Sequence, residues 1–172
     1  MPTDKTAWSK DLPRFIGALL LPLLAGGVGG VATSKNVATW YPTLKKPALN
    51  PPDWIFGPVW TTLYLLMGIA HYLVVREKAE PKLSRPARLF YWLQLALNSL
   101  WSVLFFGRRS PLAALIEIVF LWVAIMLTIL TFARISRTAA LLLLPYLLWV
   151  SFATYLNASI WHLNSKTLIR RV

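Results

Sequence analysis

Long apolar stretches alternate with short basic ones along this chain, and the positions of lysine and arginine mark the divisions. Windows with neither residue run over Phe15–Ser34, Pro47–Val75, Leu89–Gly107, Ser110–Ala133 and Thr138–Ser165. Each holds about 20 apolar residues, the length a helix needs to cross roughly 30 Å of hydrocarbon. Only Asp53 and Glu117 put an acidic charge inside a window. The pattern predicts an all-α membrane protein, a five-transmembrane-helix bundle with helices over about 12–33, 56–75, 87–106, 112–132 and 138–161. They form one domain, 12–164, between an N-terminal tail, 1–11, and a basic C-terminal tail, 165–172.

The first connection departs from this rhythm. Trp40–Thr61 reads WYPTLKKPALNPPDWIFGPVWT, with five prolines and three tryptophans. Proline fixes φ and removes the backbone donor, so Trp40–Pro58 is not one continuous helix. Irregular backbone at membrane depth survives only where protein buries it or where it lines a cavity. A rigid aromatic loop beside membrane helices therefore reads as the roof of a binding site. Proline also shapes the helices: Pro13 lies in a first turn, where it is tolerated, Pro22 marks a kink, and Pro145 bends the last helix by leaving the Leu141 carbonyl without its helical partner.

Helical spacing then groups the candidate chemistry. Trp60 and Tyr64 stand one turn apart, Asn98, Trp101 and Ser102 share a face, and so do Trp149, Ala153, Leu156 and Asn157. Gly26 and Gly30 form a small-xxx-small pair, read as packing within the subunit ahead of a homodimer seam. Glu117, roughly 10 Å into its helix at 1.5 Å per residue, is expected to be protonated or paired with Arg108 or Arg109. His71 reads as an interfacial polar residue, and Trp8 and Trp161 as interfacial anchors.

Composition narrows the classes. The chain has 172 residues, 57% hydrophobic and 14% charged, with net charge +12 and mean hydropathy +0.57. A soluble domain carries about 25% charged residues. The basic residues sit in connections and tails, which suits lipid headgroups and leaves no nucleic-acid stripe. Ten Lys/Arg on one set of connections against eight on the other do not fix orientation. With no cysteine, disulfides and thiolate chemistry are excluded. No His/carboxylate spacing suggests a metal, no acid/base dyad or nucleophile triad suggests conventional catalysis, and no repeated halves suggest a secondary transporter. The first apolar run exceeds a signal-peptide core of about 7–15 residues and is read as a retained helix.

Several motifs in order carry a family resemblance: W-Y-x-x-L-x-K-P-x-x-N-P-P at Trp40–Pro52, W-x-F-G-P-V-W-T at Trp54–Thr61, Q-L-x-L-N-x-x-W at Gln94–Trp101, F-F-G at Phe105–Gly107 and P-Y-L-x-W-x-x-F-A-T-x-L-N at Pro145–Asn157. From Phe15 to Asn164 the chain resembles the translocator protein or tryptophan-rich sensory protein (TspO/MBR) family. The resemblance implies a five-helix bundle whose first loop covers a site for porphyrins such as protoporphyrin IX, with sensing, sequestration or transport as the role. A light-dependent porphyrin-degrading activity using Trp60 and Trp149 is the alternative it implies, and a regulatory partner role with an incidental pocket is a further one. It also implies that Asn98 faces the ligand, that Ala153 packs against it and that Tyr41 closes over it. The animal sterol-recognition stretch is not matched, since Ala158 follows Asn157 and His162 stands where its arginine would be.

The same residues suit such a ligand physically. A porphyrin is a broad apolar disc with an anionic propionate edge. Phe56, Trp60, Trp101 and Trp149 offer flat walls, Tyr64, Asn98 and Asn157 polar groups, and Lys45 and Lys46 cations at the rim. No cofactor is required in this reading; the porphyrin is the ligand, and the bilayer the other partner.

Overall fold

The computed structural model describes residues 5–169, with side chains from Asp11 to Ser165 apart from Lys35. Residues 1–4 and 170–172, the outer parts of the two expected tails, and the Trp8 side chain lie outside the described residues. Among the described residues six α-helices follow one another: α1 (Lys5–Val37), α2 (Phe56–Arg76), α3 (Pro81–Ser102), α4 (Pro111–Ala133), α5 (Arg137–Leu142) and α6 (Leu144–Ile169). They supply five spans long and apolar enough to cross a membrane, 11–34, 53–76, 81–107, 111–133 and 137–165. The protein is an integral, multi-pass membrane protein.

The helices overrun the expected ends where no residue stops them. α1 begins seven residues before the anticipated 12 and α6 runs on into the basic tail, since Lys and Arg are good helix formers. α3 starts at Pro81 instead of 87. That proline occupies the first turn, where its missing N–H costs nothing, and Pro86 is carried inside the helix.

Two local irregularities position the site. α3 ends in a π-helical turn, Val103–Gly107, in which the Arg108 N–H donates to the Val103 carbonyl at 2.8 Å. This extra residue per turn swings Phe105 and Phe106 toward α1 and the first loop, where both meet Tyr41. The expected bend near Pro145 is a one-residue interruption of the helix, at Leu143. α5 closes with a tight turn, Leu143 N–H to Ala140 carbonyl at 3.1 Å, before α6 restarts. α5 packs on α2, whereas α6 packs on α4 and its backbone scarcely approaches α2.

The close-packed core lies away from the loop, between α2, α3, α4, α5 and the first turns of α6, which add Tyr146 and Val150. Tyr91 is fully buried there, stacked on His71 (4.3 Å between centroids) and Phe132 (5.8 Å), with its hydroxyl on the Met67 carbonyl. Gly68 lets α2 cross α1, because a Cβ there would stand 2.8 Å from the Leu19 Cα. His71 is thus a core residue, not the interfacial one its position suggested. Glu117 is also buried, and no arginine reaches it; neither carboxylate oxygen has a hydrogen-bond partner among the described residues. Arg109, one of the two expected partners, bonds Asn36 Oδ1 instead, at 2.7 and 3.1 Å.

Candidate functional site

Toward the loop the bundle does not close. A cavity of about 340 Å³ lies between α1, α2, the end of α3, α6 and the first loop, a size at the lower end for sites that take drug-sized ligands. α1 contributes small residues: Gly29 and Gly30 line the cavity beside Thr33 and Ser34. A Cβ on Gly30 would meet nothing within 4 Å, so this glycine leaves space open. Gly26 does the opposite, since its missing side chain admits the ring of Tyr64. The Gly26/Gly30 pair therefore serves packing at one end and void at the other.

The walls are aromatic. Tyr41, Phe56, Trp60, Tyr64, Trp101 and Trp149 all line the cavity, together with Ala153 and Asn157. Trp60 stacks on Tyr64 (5.4 Å, 27°), Trp101 on Phe105 (5.1 Å, 20°), and Phe56 meets Trp149 edge-on (5.8 Å). Ser102, from the face it shares with Trp101, lines it as well, and so do Phe105, Phe106, Gly29 and Asp53, which the sequence does not mark as site residues. The F-F-G triplet was the signal for the two phenylalanines. Its meaning depended on the π turn, which no spacing rule announces.

Asn98 is a correction. It does not line the cavity but stands behind it, 4% exposed. Tyr64 donates its hydroxyl proton to Asn98 Oδ1 (2.8 Å), and Asn98 Nδ2 donates to the Tyr146 hydroxyl (3.2 Å). An amide inside a membrane bundle is costly unless its groups are matched, and two tyrosines match it. Trp101 and Asn157 are similarly engaged: the indole N–H donates to Asn157 Oδ1 (3.0 Å), and Asn157 Nδ2 to the Pro111 carbonyl (2.7 Å). Trp60 and Trp149 differ. Both line the cavity, and among the described residues the indoles that donate a hydrogen bond are those of Trp101 and Trp122, not theirs.

The first loop is a fastened roof. Trp40, Tyr41 and Leu44 are buried against Phe105, Ala114 and Ile160. The Tyr41 hydroxyl donates to Asn50 Oδ1 at 3.0 Å, and burial pushes its pKa above the usual tyrosine value. Asn164, near the end of α6, clasps the loop backbone at Lys45 from both sides, accepting from its N–H (3.0 Å) and donating to its carbonyl (2.9 Å). Lifting the roof into water would expose three large side chains at about 1.5–3 kcal/mol each, besides the clasp. The two expected rim cations are not in the lining. The Lys45 side chain is exposed, and the Lys46 ammonium sits 4.1 Å from the centroid of the Tyr41 ring, over its face. The nearest charge in the lining is the carboxylate of Asp53.

The arrangement is a dry, aromatic, hydrogen-bond-poor chamber under a fixed lid, suited to holding a flat apolar molecule. Among the described residues no group of three or more His, Cys, Asp or Glu could hold a metal. Comparison with known proteins gives the family. The chain is 49% identical over 144 residues to the Tryptophan-rich protein TspO of Chlorobaculum tepidum, covering 84% of this chain and 91% of that one. It is 40% identical over 151 residues to the Translocator protein of Homo sapiens (87% and 89%). It is 38% identical over 150 residues to the Tryptophan-rich sensory protein of Cereibacter sphaeroides (86% and 92%). With the TspO/MBR family model also matched over residues 18–162, the chain belongs to the TspO/MBR family.

Proposed function

We propose that this protein is a membrane receptor for tetrapyrroles of the protoporphyrin IX type and similar flat hydrophobic molecules, acting in sensing, sequestration or transport. The observation that carries this reading is the pair Trp60 and Trp149. Both line the roofed cavity, and neither is among the indoles that donate a hydrogen bond within the described residues, which are Trp101 and Trp122. A broad π-system stacks on such walls, and their N–H groups are donors for its polar atoms. Its propionate edge belongs near Lys46 and Tyr41, away from Asp53, on charge grounds.

The test is tryptophan-fluorescence titration of the purified protein with protoporphyrin IX in the dark, beside a Trp60→Phe/Trp149→Phe variant. Saturable quenching near micromolar concentration, about 8 kcal/mol of binding, weakened at least ten-fold in the variant, is expected. Absence of saturable binding, or equal binding by the variant, removes the proposal. Illumination of the bound complex then separates a binder from a degrader. Conversion of the porphyrin to a defined product that depends on Trp60 and Trp149 assigns a photochemical role to the same pair.

A further inference from the structure

A second cavity, of about 570 Å³, lies on the lipid-facing side between α2 and α6. Thr62, Leu63 and Leu66 form one wall and Leu148 and Phe152 the other. It exists because α6, restarting after the interruption at Leu143, leads away from α2. Trp149 lines both this cleft and the roofed cavity. Between the two spaces the helix backbones scarcely approach one another, and the gap is bridged by side chains, in the edge-on pairs Phe56–Trp149 (5.8 Å) and Trp60–Tyr146 (6.3 Å).

Resting on the tetrapyrrole reading above, we propose that the cleft is the docking site and entry portal for the ligand. A flat apolar molecule dissolved in the bilayer settles between Leu148 and Thr62 and reaches the cavity when Phe56 and Trp149 rotate apart. Two contrasts support this route over the loop. Opening the roof breaks the Asn164–Lys45 clasp and exposes Trp40, Tyr41 and Leu44 to water. Opening the cleft breaks no hydrogen bond of Phe56 or Trp149 and exposes their rings only to lipid chains, which are as apolar as the protein interior. In addition, the occupant is sparingly soluble in water and concentrates in the phase that the cleft faces.

The chain has no cysteine, so a Thr62→Cys/Leu148→Cys pair places two unique thiols on opposite, exposed walls of the cleft. In lipid nanodiscs the pair is joined by a reducible bis-methanethiosulfonate tether. Protoporphyrin IX association and dissociation are then followed by stopped-flow tryptophan quenching in the dark. A portal predicts that the tether slows both rates at least ten-fold and equally, leaving Kd unchanged, and that reduction restores them. The reduced protein is its own control for folding. Unchanged rates mean that ligand enters by the roof and the cleft holds only lipid chains; a raised Kd means that the cleft is a wall of the site. Either result overturns the portal while the receptor reading stands. If the reduced protein binds no porphyrin, both fall together.

Discussion

The two ends of the bundle use similar residues to opposite effect. Away from the loop, Tyr91, His71 and Phe132 stack in a solid core. Toward the loop, Trp60, Tyr64, Trp101 and Trp149 surround empty space. Aromatic content does not separate them. What separates them is the neighbour: bulky α4 residues fill the first region, whereas α1 presents Gly29 and Gly30 to the second and α6 has turned away from α2. A cavity in a membrane bundle is thus made by withholding side chains and bending one helix. The aromatic walls give it shape.

The two ends therefore respond differently to substitution. Tyr91→Ala removes a fully buried ring and is expected to cost about 3–5 kcal/mol, read as unfolding of the detergent-solubilised protein. Porphyrin affinity per folded molecule stays unchanged; a matching loss of affinity would erase the distinction between the ends. Asn98→Ala lies at the border. Stranding the Tyr64 and Tyr146 hydroxyls should cost about 1–3 kcal/mol, with binding altered only through Tyr64. Gly30→Leu sharpens the cavity side, because the new side chain enters open space. Binding should weaken at least ten-fold, about 1.4 kcal/mol, in the fluorescence titration, with stability within about 0.5 kcal/mol of the parent. The smallest effect belongs to Asp53→Asn, which removes a carboxylate from the lining. It should tighten an anionic porphyrin by about two-fold at low salt, and the gain should vanish as ionic strength rises. An uncharged porphyrin ester that gained equally would show the effect to be steric.

Much of the architecture was legible because lipid imposes strict lengths on spans and keeps basic residues out of them. The five windows predicted the five spans, and the helical faces placed Trp149, Ala153 and Asn157 on one wall. The roof was legible from proline chemistry alone. Asn98 was misplaced because its helical face points toward Tyr64 and Tyr146, partners more than thirty residues away that no local pattern names. Phe105 and Phe106 were hidden by the π turn, which shifts the facing of a residue by more than a helical wheel allows. Of the two readings of Glu117, protonated or paired with a nearby arginine, the pairing is absent among the described residues: Arg109 bonds Asn36, 73 residues away. Short-range spacing finds faces; it does not find which distant side chain completes them.

The clasp between Asn164 and Lys45 joins residues 119 apart, and this has a consequence for biogenesis. Trp149, Ala153, Asn157 and the clasp itself all arrive with the last span to enter the membrane. During synthesis the first loop can pack on Phe105 and Ala114 once the fourth span is in place, but the first four spans lack both the clasp and the α6 wall of the cavity. The chamber comes into being only when the fifth span docks, so a nascent chain offers no enclosed site before its own assembly is complete.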